Sequence, residues 1–561
     1  MDSAPVLGST SRGSTARTAR REPEVLDELQ RAERLPEFRV DLERVRFSPY
    51  FSRLSAVTQV ISQAGASALI HNRLTHSLKV TAVARTIAVG LDARSEPRGD
   101  GVTTTSAGAT ACDAVVVQAA ASAHDLGHPP FGHLGENVLN RIARGTLGLA
   151  DGFEGNAQTY RILTTLDVCE AADAGLNLTA AVRSAVAKYP WSPRVGSPGP
   201  GPGSGPRPGP GAGLGPGSEP GPASGARSGS AVVQSASALP PGLKLVDGEV
   251  VVRKYSAYLL DEDDLVDARL CAPGLAPGQQ TLECSVMDIA DDIAYSVHDV
   301  DDFYRAGILS QVAVAREFRG WLANSAGLRM LDAPELEIEG TRNRAGEGLE
   351  ALRRRMHRDD PWIADDDAFA DAVAVVTDDL VEGLLSTVFD GSIAAERRLS
   401  AFTSRWIAYL ERSIVDAPAD TPRTGLITLD TRAWHEVKVL KFVHKHFILN
   451  RPDIAMYQRG LSQVLVSLVG AFTEWLDDDH DRKRVPRRLL EMVALADAGY
   501  RRLAAEHPER LDDRSPAALQ RLGRGRGVID YVASLSDGQA IAVGEALKGS
   551  TDRLWDIGQS L

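Results

Sequence analysis

The sequence predicts a mainly α-helical protein, on three observations. Val80, Ala84, Ile87 and Leu91 stand at i, i+4, i+7 and i+11, which places them on one face of a helix. Alanine- and valine-rich stretches (Val115–Ala123, Ala368–Val376) and leucine-rich ones (Val464–Leu468, Leu489–Leu495) suit further buried helices. Strand signals are thin, apart from Leu243–Arg253, where the run around Asp247-Gly248 predicts a short hairpin.

At 561 residues the chain exceeds one ordinary domain. Met1–Arg21 is rich in Ser, Thr and Arg and lacks the apolar stretch of a secretory signal, so residues 1–40 are expected to be a disordered tail. Residues 41–310 are expected to form the catalytic domain, and 311–561 a C-terminal helical region. From about Val195 to Gly242 the chain is almost all Gly, Pro, Ser and Ala. Such a stretch buries too little apolar surface to offset its ordering entropy. It is expected to be a disordered, flexible Gly/Pro-rich insertion at 195–242 rather than a linker, because the motifs on its two sides need each other.

Lys and Arg number 62 against 75 Asp and Glu, a net charge of −13. That balance excludes a protein that coats DNA through broad basic surface, but not a phosphate ligand in a local basic pocket. Four scattered cysteines (Cys112, Cys169, Cys271, Cys284) argue against a disulfide scaffold or zinc ribbon and for a reducing, cytoplasmic setting. No apolar run reaches the roughly 18–20 residues of a membrane helix, so no membrane partner is expected.

Potential metal ligands sit in three separated stretches. His76 lies four residues before Val80 and shares its inward stripe. The doublet His124-Asp125 closes the apolar run Val115–Ala123. In the third stretch Asp291, Tyr295 and Asp299 fall at i, i+4 and i+8, a polar stripe on an otherwise apolar helix that is costly to bury without partners. Each stretch alone suits a blander reading, a satisfied core histidine or a solvated acidic face. Together, two His and two Asp form a mixed nitrogen/oxygen set suited to Mn²⁺, Mg²⁺ or Fe²⁺.

The run from His124 to Glu136 (HDLGHPPFGHLGE) is expected to end its helix at Gly127 and turn tightly. Its three histidines and an acid are hard to explain by packing. A histidine can donate a proton near neutrality, and a neighbouring Glu can orient it.

These stretches resemble the HD-domain deoxynucleoside triphosphate triphosphohydrolases, the dGTPase family. The matching segments are Phe51–Leu54 with Thr58–Val60, Asn72–Leu78, His124–Glu136, Phe153–Gln158, Gly175–Thr179, Lys188–Pro190 and Met287–Asp299. The resemblance implies a helical HD-domain phosphohydrolase fold and hydrolysis of a dNTP, at the α-phosphorus, to deoxynucleoside and inorganic triphosphate. It places His76, His124, Asp125 and Asp291 at the metal, and His133 and Glu136 as a catalytic pair with His128 beside them. Arg73, Lys188 and Lys254 fall at triphosphate contacts, and Tyr189 at the substrate. Tyr295 and Asp299 fall at the deoxyribose, with Asp299 near its 3′-hydroxyl. Gln59 and Val60 fall where relatives crowd a 2′-hydroxyl. It further implies a homo-oligomer, tetramer or hexamer, with a dNTP or single-stranded DNA as effector. Another HD phosphohydrolase (a nucleotidase or alarmone hydrolase) and a non-catalytic nucleotide or single-stranded DNA sensor are the alternatives.

Signals thin out in the C-terminal half. Trp434–Phe442 predicts an amphipathic helix with a basic side. Asp530–Asp537 (DYVASLSD) resembles the family's distal motif, but Gly538 and Gln539 stand where an Arg and an aromatic residue are usual.

Overall fold

The structure, a computed structural model, describes residues 16–24, 36–59, 71–95, 112–170, 174–193, 239–246, 249–331, 344–418 and 424–551. It is built from helices: α1 (Pro36–Phe47), α2 (Arg73–Ser95), α3 (Ala114–Ala123), α4 (His133–Gly145), α5 (Gly155–Arg161), α6 (Ala180–Val186) and α7 (Leu282–Arg305). Helices Gln311–Arg329, Glu347–Asp359, Asp366–Val376 and Ile393–Arg412 follow, then α8 (Thr431–His444), α9 (Pro452–Asp477), α10 (Arg487–Glu506), α11 (Pro516–Ala533) and α12 (Asp537–Leu547). The mainly α expectation therefore holds.

Two antiparallel ribbons supply the strands among the described residues. The expected hairpin pairs β1 (Leu243–Val246) with β2 (Glu249–Val252), Leu243 opposite Val252. Its turn, 247–248, lies outside the described residues, as does nearly all of the Gly/Pro-rich stretch 195–242. A second ribbon, β3 (Ile414–Asp416) with β4 (Ile427–Leu429), was not expected; at three residues a strand is too short to show alternation.

α7 is the hub. Nearly all of its residues are buried, and it packs against α2, α3, α6 and α8. One hydrophobic core runs from Phe38 in α1 to Val543 in α12, so both halves of the chain share it. α3 shows how burial overrides propensity: three consecutive valines are indifferent helix formers, yet every residue from Val116 to Ala123 except Gln118 is buried. Its N-terminus is closed by Asp113, whose carboxylate accepts from the amides of Val115 and Val116.

Three expectations need correction. Residues 16–24 are not a loose tail: Arg20 donates to Asp41 Oδ1 at 2.6 Å and to the Asn177 carbonyl, and α1 already begins at Pro36. Residues 1–15 and 25–35 lie outside the described residues. α3 stops at Ala123, not at Gly127, and His124–Gly127 form turns that carry the metal-type doublet out of the helix. Finally, α8 is buried on most sides, with Lys438 and Lys441 held at 2.5 and 2.6 Å by Asp360 and Asp292 instead of lining a solvated face.

Candidate active site

Helix geometry brings the three ligand stretches together. α2 opens on a reciprocal cap: the Thr75 amide donates to Asn72 Oδ1 at 2.9 Å, and the Asn72 amide to Thr75 Oγ1 at 3.1 Å. This fixes the first turn, so that Arg73 and, three residues on, His76 face inward; both are almost fully buried. From the turns that follow α3 come His124 and Asp125, and from the middle of α7 comes Asp291. Ligand atoms of His76, His124 and Asp125 lie within 4.8 Å of one another. Asp291 Oδ1 stands 3.2 Å from His76 Nε2 and 3.7 Å from His124 Nε2.

His124 decides whether this cluster fits a metal. Its Nδ1 lies 2.8 Å from the Ala121 carbonyl, which can only accept, so Nδ1 carries a hydrogen. Nε2 is then left buried without a hydrogen-bond partner, facing Asp125 Oδ1 at 3.6 Å and Asp291 Oδ1 at 3.7 Å. An imidazole lone pair converging with two carboxylate oxygens is a repulsive arrangement that a cation relieves. Burial works against ionising both carboxyls, but their neighbours win. The Arg73 guanidinium holds Asp125 well below the usual carboxylate range, and the Lys188 ammonium does the same for Asp291. The residues fit a divalent metal held by two imidazoles and two carboxylates.

Cations surround the cluster. Arg73 donates through one Nη to Asp125 Oδ2 at 2.8 Å, while its Nε and other Nη stay buried and unpartnered among the described residues. Lys188 reaches Asp288 at 2.7 Å and Asp291 at 3.0 Å, which keeps its ammonium charged in spite of burial. Lys254, after the β1–β2 hairpin, reaches Glu136 at 2.6 Å and Glu154 at 3.1 Å.

Beyond the metal-type cluster the turn from His128 to His133 leads into α4. Phe131 and Gly132 both adopt positive φ, +66° and +59°. At Gly132 an added Cβ would meet an Arg73 Nη at 3.0 Å, so this glycine answers both a backbone and a packing demand. His133 is the first residue of α4 and is exposed; its Nδ1 stands 3.3 Å from Glu136 Oε2 one turn on. Burial opposes ionisation of Glu136, but His133 and Lys254 draw it well below the usual range, leaving an anionic partner for the imidazole. His128 packs its ring on His133, centroids 5.3 Å apart, and sits 3.0 Å from Asp125. Burial and the Arg73 charge together lower its pKa to about 4, so it is neutral near pH 7.

The far end of the α7 stripe is closed by a residue the sequence did not flag. His444, from α8, places Nδ1 2.8 Å from Asp299 Oδ2 and 3.4 Å from the Tyr295 hydroxyl, with Phe303 stacked on its ring. Burial and the Asp299 charge push the Tyr295 phenol up, so it remains a neutral hydroxyl. Gln59 is buried beside the Gly132 turn with its Oε1 unpartnered among the described residues, and Val60 lies outside them. Tyr189 packs edge-on against Trp191 and joins the site through its neighbour Lys188.

Asp288, Glu154 and His444 were missed as site residues. Asp288 stands one turn before Asp291, a readable spacing, and Glu154 caps α5 with its carboxylate. His444 has no local signal, being 149 residues from Tyr295.

The family model for the HD domain matches residues 73–173. That span carries His76, His124, Asp125, His128, His133 and Glu136, while Lys188, Lys254 and Asp291 come from beyond it. A deoxyguanosinetriphosphate triphosphohydrolase-like protein of Streptomyces coelicolor is 30% identical over 521 residues, covering 91% of this chain and 92% of the relative. The chain belongs to the deoxyguanosinetriphosphate triphosphohydrolase-like family. Another relative of the same description, from Bifidobacterium longum, is 28% identical over 524 residues, 90% of this chain and 82% of its own. One from Corynebacterium glutamicum reaches 35%, over 269 residues, 47% and 45% of the two chains. The family member described here is thus an HD-domain hydrolase of the metal-dependent phosphohydrolase type.

Proposed function

We propose that the protein hydrolyses a deoxynucleoside triphosphate to deoxynucleoside and inorganic triphosphate. The observation that carries this reading is the placement of its cations. Arg73, Lys188 and Lys254 pair respectively with Asp125, Asp291 and Glu136, which sets positive charge on several sides of one metal-type cluster and next to a histidine–carboxylate pair. A chain of three phosphates is the anion that so many separated cations suit.

A divalent metal bound by His76, His124, Asp125 and Asp291 would polarise an α-phosphoryl oxygen and acidify a bound water. The remaining steps belong to the chain. Arg73, Lys188 and Lys254 hold the phosphates and offset their charge, the first from a buried position where it is least screened. Water loses a proton to solvent as its oxygen adds to the α-phosphorus and the P–O5′ bond breaks, so the water oxygen leaves in triphosphate, and the exposed His133 regains from solvent the proton it gives up. The departing O5′ alkoxide takes a proton from His133, which is exposed at the mouth of the site and held by the Glu136 carboxylate. Tyr295 and Asp299, fixed by His444, would meet the sugar, with Gln59 beside the same turn as Arg73.

Incubation with each dNTP and NTP in the presence of Mn²⁺ or Mg²⁺ tests the reading. Expected products are deoxynucleoside and triphosphate, and in ¹⁸O-water the label enters triphosphate. Monophosphate with pyrophosphate, or single phosphate, would instead indicate another HD phosphohydrolase.

A further inference from the structure

We propose that Asp537, the first residue of α12, is a positioning residue for the His133 proton donor. The inference rests on the role given to His133 above. Asp537 Oδ1 accepts the Phe131 amide at 2.8 Å, while Oδ2 accepts the Thr58 amide at 3.1 Å and the Thr58 hydroxyl. One buried carboxylate from the far end of the chain thus clamps two segments of the site. One leads through Gln59; the other is the Phe131-Gly132 turn immediately before His133.

That turn needs a clamp. Phe131 holds a left-handed φ that a residue with a Cβ adopts only when its surroundings enforce it. If the Phe131 amide were released, Phe131 could relax and swing the first turn of α4, carrying His133 away from Glu136 and from the leaving oxygen.

The carboxylate is free for this task because its own helix is capped without it. Ser536 accepts from the Gln539 amide, and the Gln539 side chain accepts from the Ser536 amide, a complete capping box. Gln539, one of the two residues that depart from the family's usual distal pattern, closes that box. Arg53 reinforces the same seam. It donates to the carbonyls of Ala533 and Leu535 on one side and of Leu126 and His128 on the other. The segment between α11 and α12 is therefore bonded to the catalytic turn at both of its ends.

The test measures kcat, KM and metal content for Asp537→Ala and Asp537→Asn, each alone and in a His133→Ala background. Asp537→Ala is expected to lower kcat about 10–100-fold, the scale on which a misplacement near 1 Å acts, with metal content unchanged and KM altered far less than kcat, through the loosened Thr58–Gln59 segment. In the His133→Ala background the same change is expected to cost less than about twofold, because the group it positions is already gone. Asp537→Asn, nearly isosteric and still able to accept from Phe131, is expected to fall between and serves if the alanine variant does not fold. Equal losses in both backgrounds, a loss of metal, or an unchanged kcat would overturn the proposal while leaving the proposed reaction standing. An unchanged kcat in His133→Ala alone would overturn it together with the role of His133.

Discussion

At the scale of single residues, the site turns on which atoms are left without partners. His124 gives Nδ1–H to a backbone carbonyl, which leaves its Nε2 facing Asp125 and Asp291 in a place that suits a cation. Asp291→Ala removes one of the four proposed ligands and also leaves Lys188 with only Asp288. We expect it to abolish metal binding as well as turnover, and elemental analysis showing full occupancy would contradict the assignment. His133→Ala is expected to keep metal and nucleotide affinity but to slow kcat about 10²–10⁴-fold, the loss of a general acid. Steady-state kinetics with metal analysis on the same sample separates the two variants.

Elements carry a different kind of information. α10 and α11 approach closely because α11 presents glycines at the contact: a Cβ on Gly523 would meet Asp497 Cα at 2.7 Å, and one on Gly527 would meet Val493 Cα at 2.6 Å. Backbone atoms cannot yield as a side-chain tip can, so Gly527→Ala should force the helices apart at a cost of about 1–3 kcal/mol, read as a lower melting temperature. Between these glycines Arg526 points the other way, into the HD half, where it meets Asp151 at 2.6 Å and covers the ring of Tyr258. Both charges are fully buried, so Arg526→Ala leaves Asp151 uncompensated and should cost about 3–5 kcal/mol, more than an exposed ion pair would. Denaturant titration of the two variants should therefore place Arg526→Ala below Gly527→Ala.

For the whole molecule, the seam between halves predicts a pH dependence. Asp261 lies in it, near Arg161, which itself bonds Asp530 of α11 at 2.8 Å. Burial, with Arg161 opposing and Asp530 adding, pushes the Asp261 carboxyl up to about 6. A carboxyl raised in the folded state contributes stability below its unfolded value near 4 and loses it as pH climbs through 6. The loss is about 3 kcal/mol by neutral pH. The melting temperature of Asp261→Asn relative to the parent should therefore be more favourable at pH 7.5 than at pH 4; a constant difference would remove the titration of Asp261. Chelation should act globally too: stripping a metal present at about 100 times its dissociation constant removes about 2.7 kcal/mol and lowers the melting point.

The same scale shows what the sequence can disclose. His76, the His124–Glu136 run and the Asp291–Asp299 stripe were legible because helical spacing and dense local motifs place each residue relative to its neighbours, and the three pieces then meet between α2, the turns after α3, and α7. The hairpin was legible from its turn pair. His444, Arg53 and Asp537 were not, because each acts on residues far away in the chain and has no local pattern of its own. Short strands such as Ile414–Asp416 are set by what lies beside them, and the order of residues 16–24 comes from Asp41 and Asn177, which no composition count reveals.

The Arg526–Asp151 pair sets a timetable for synthesis. The partners are 375 residues apart, so at about 5–20 residues per second the ribosome delivers the arginine roughly 20–75 s after the aspartate. Throughout that interval the nascent HD segment holds an acid with no counter-charge. The pair can close only when almost the whole polypeptide has emerged.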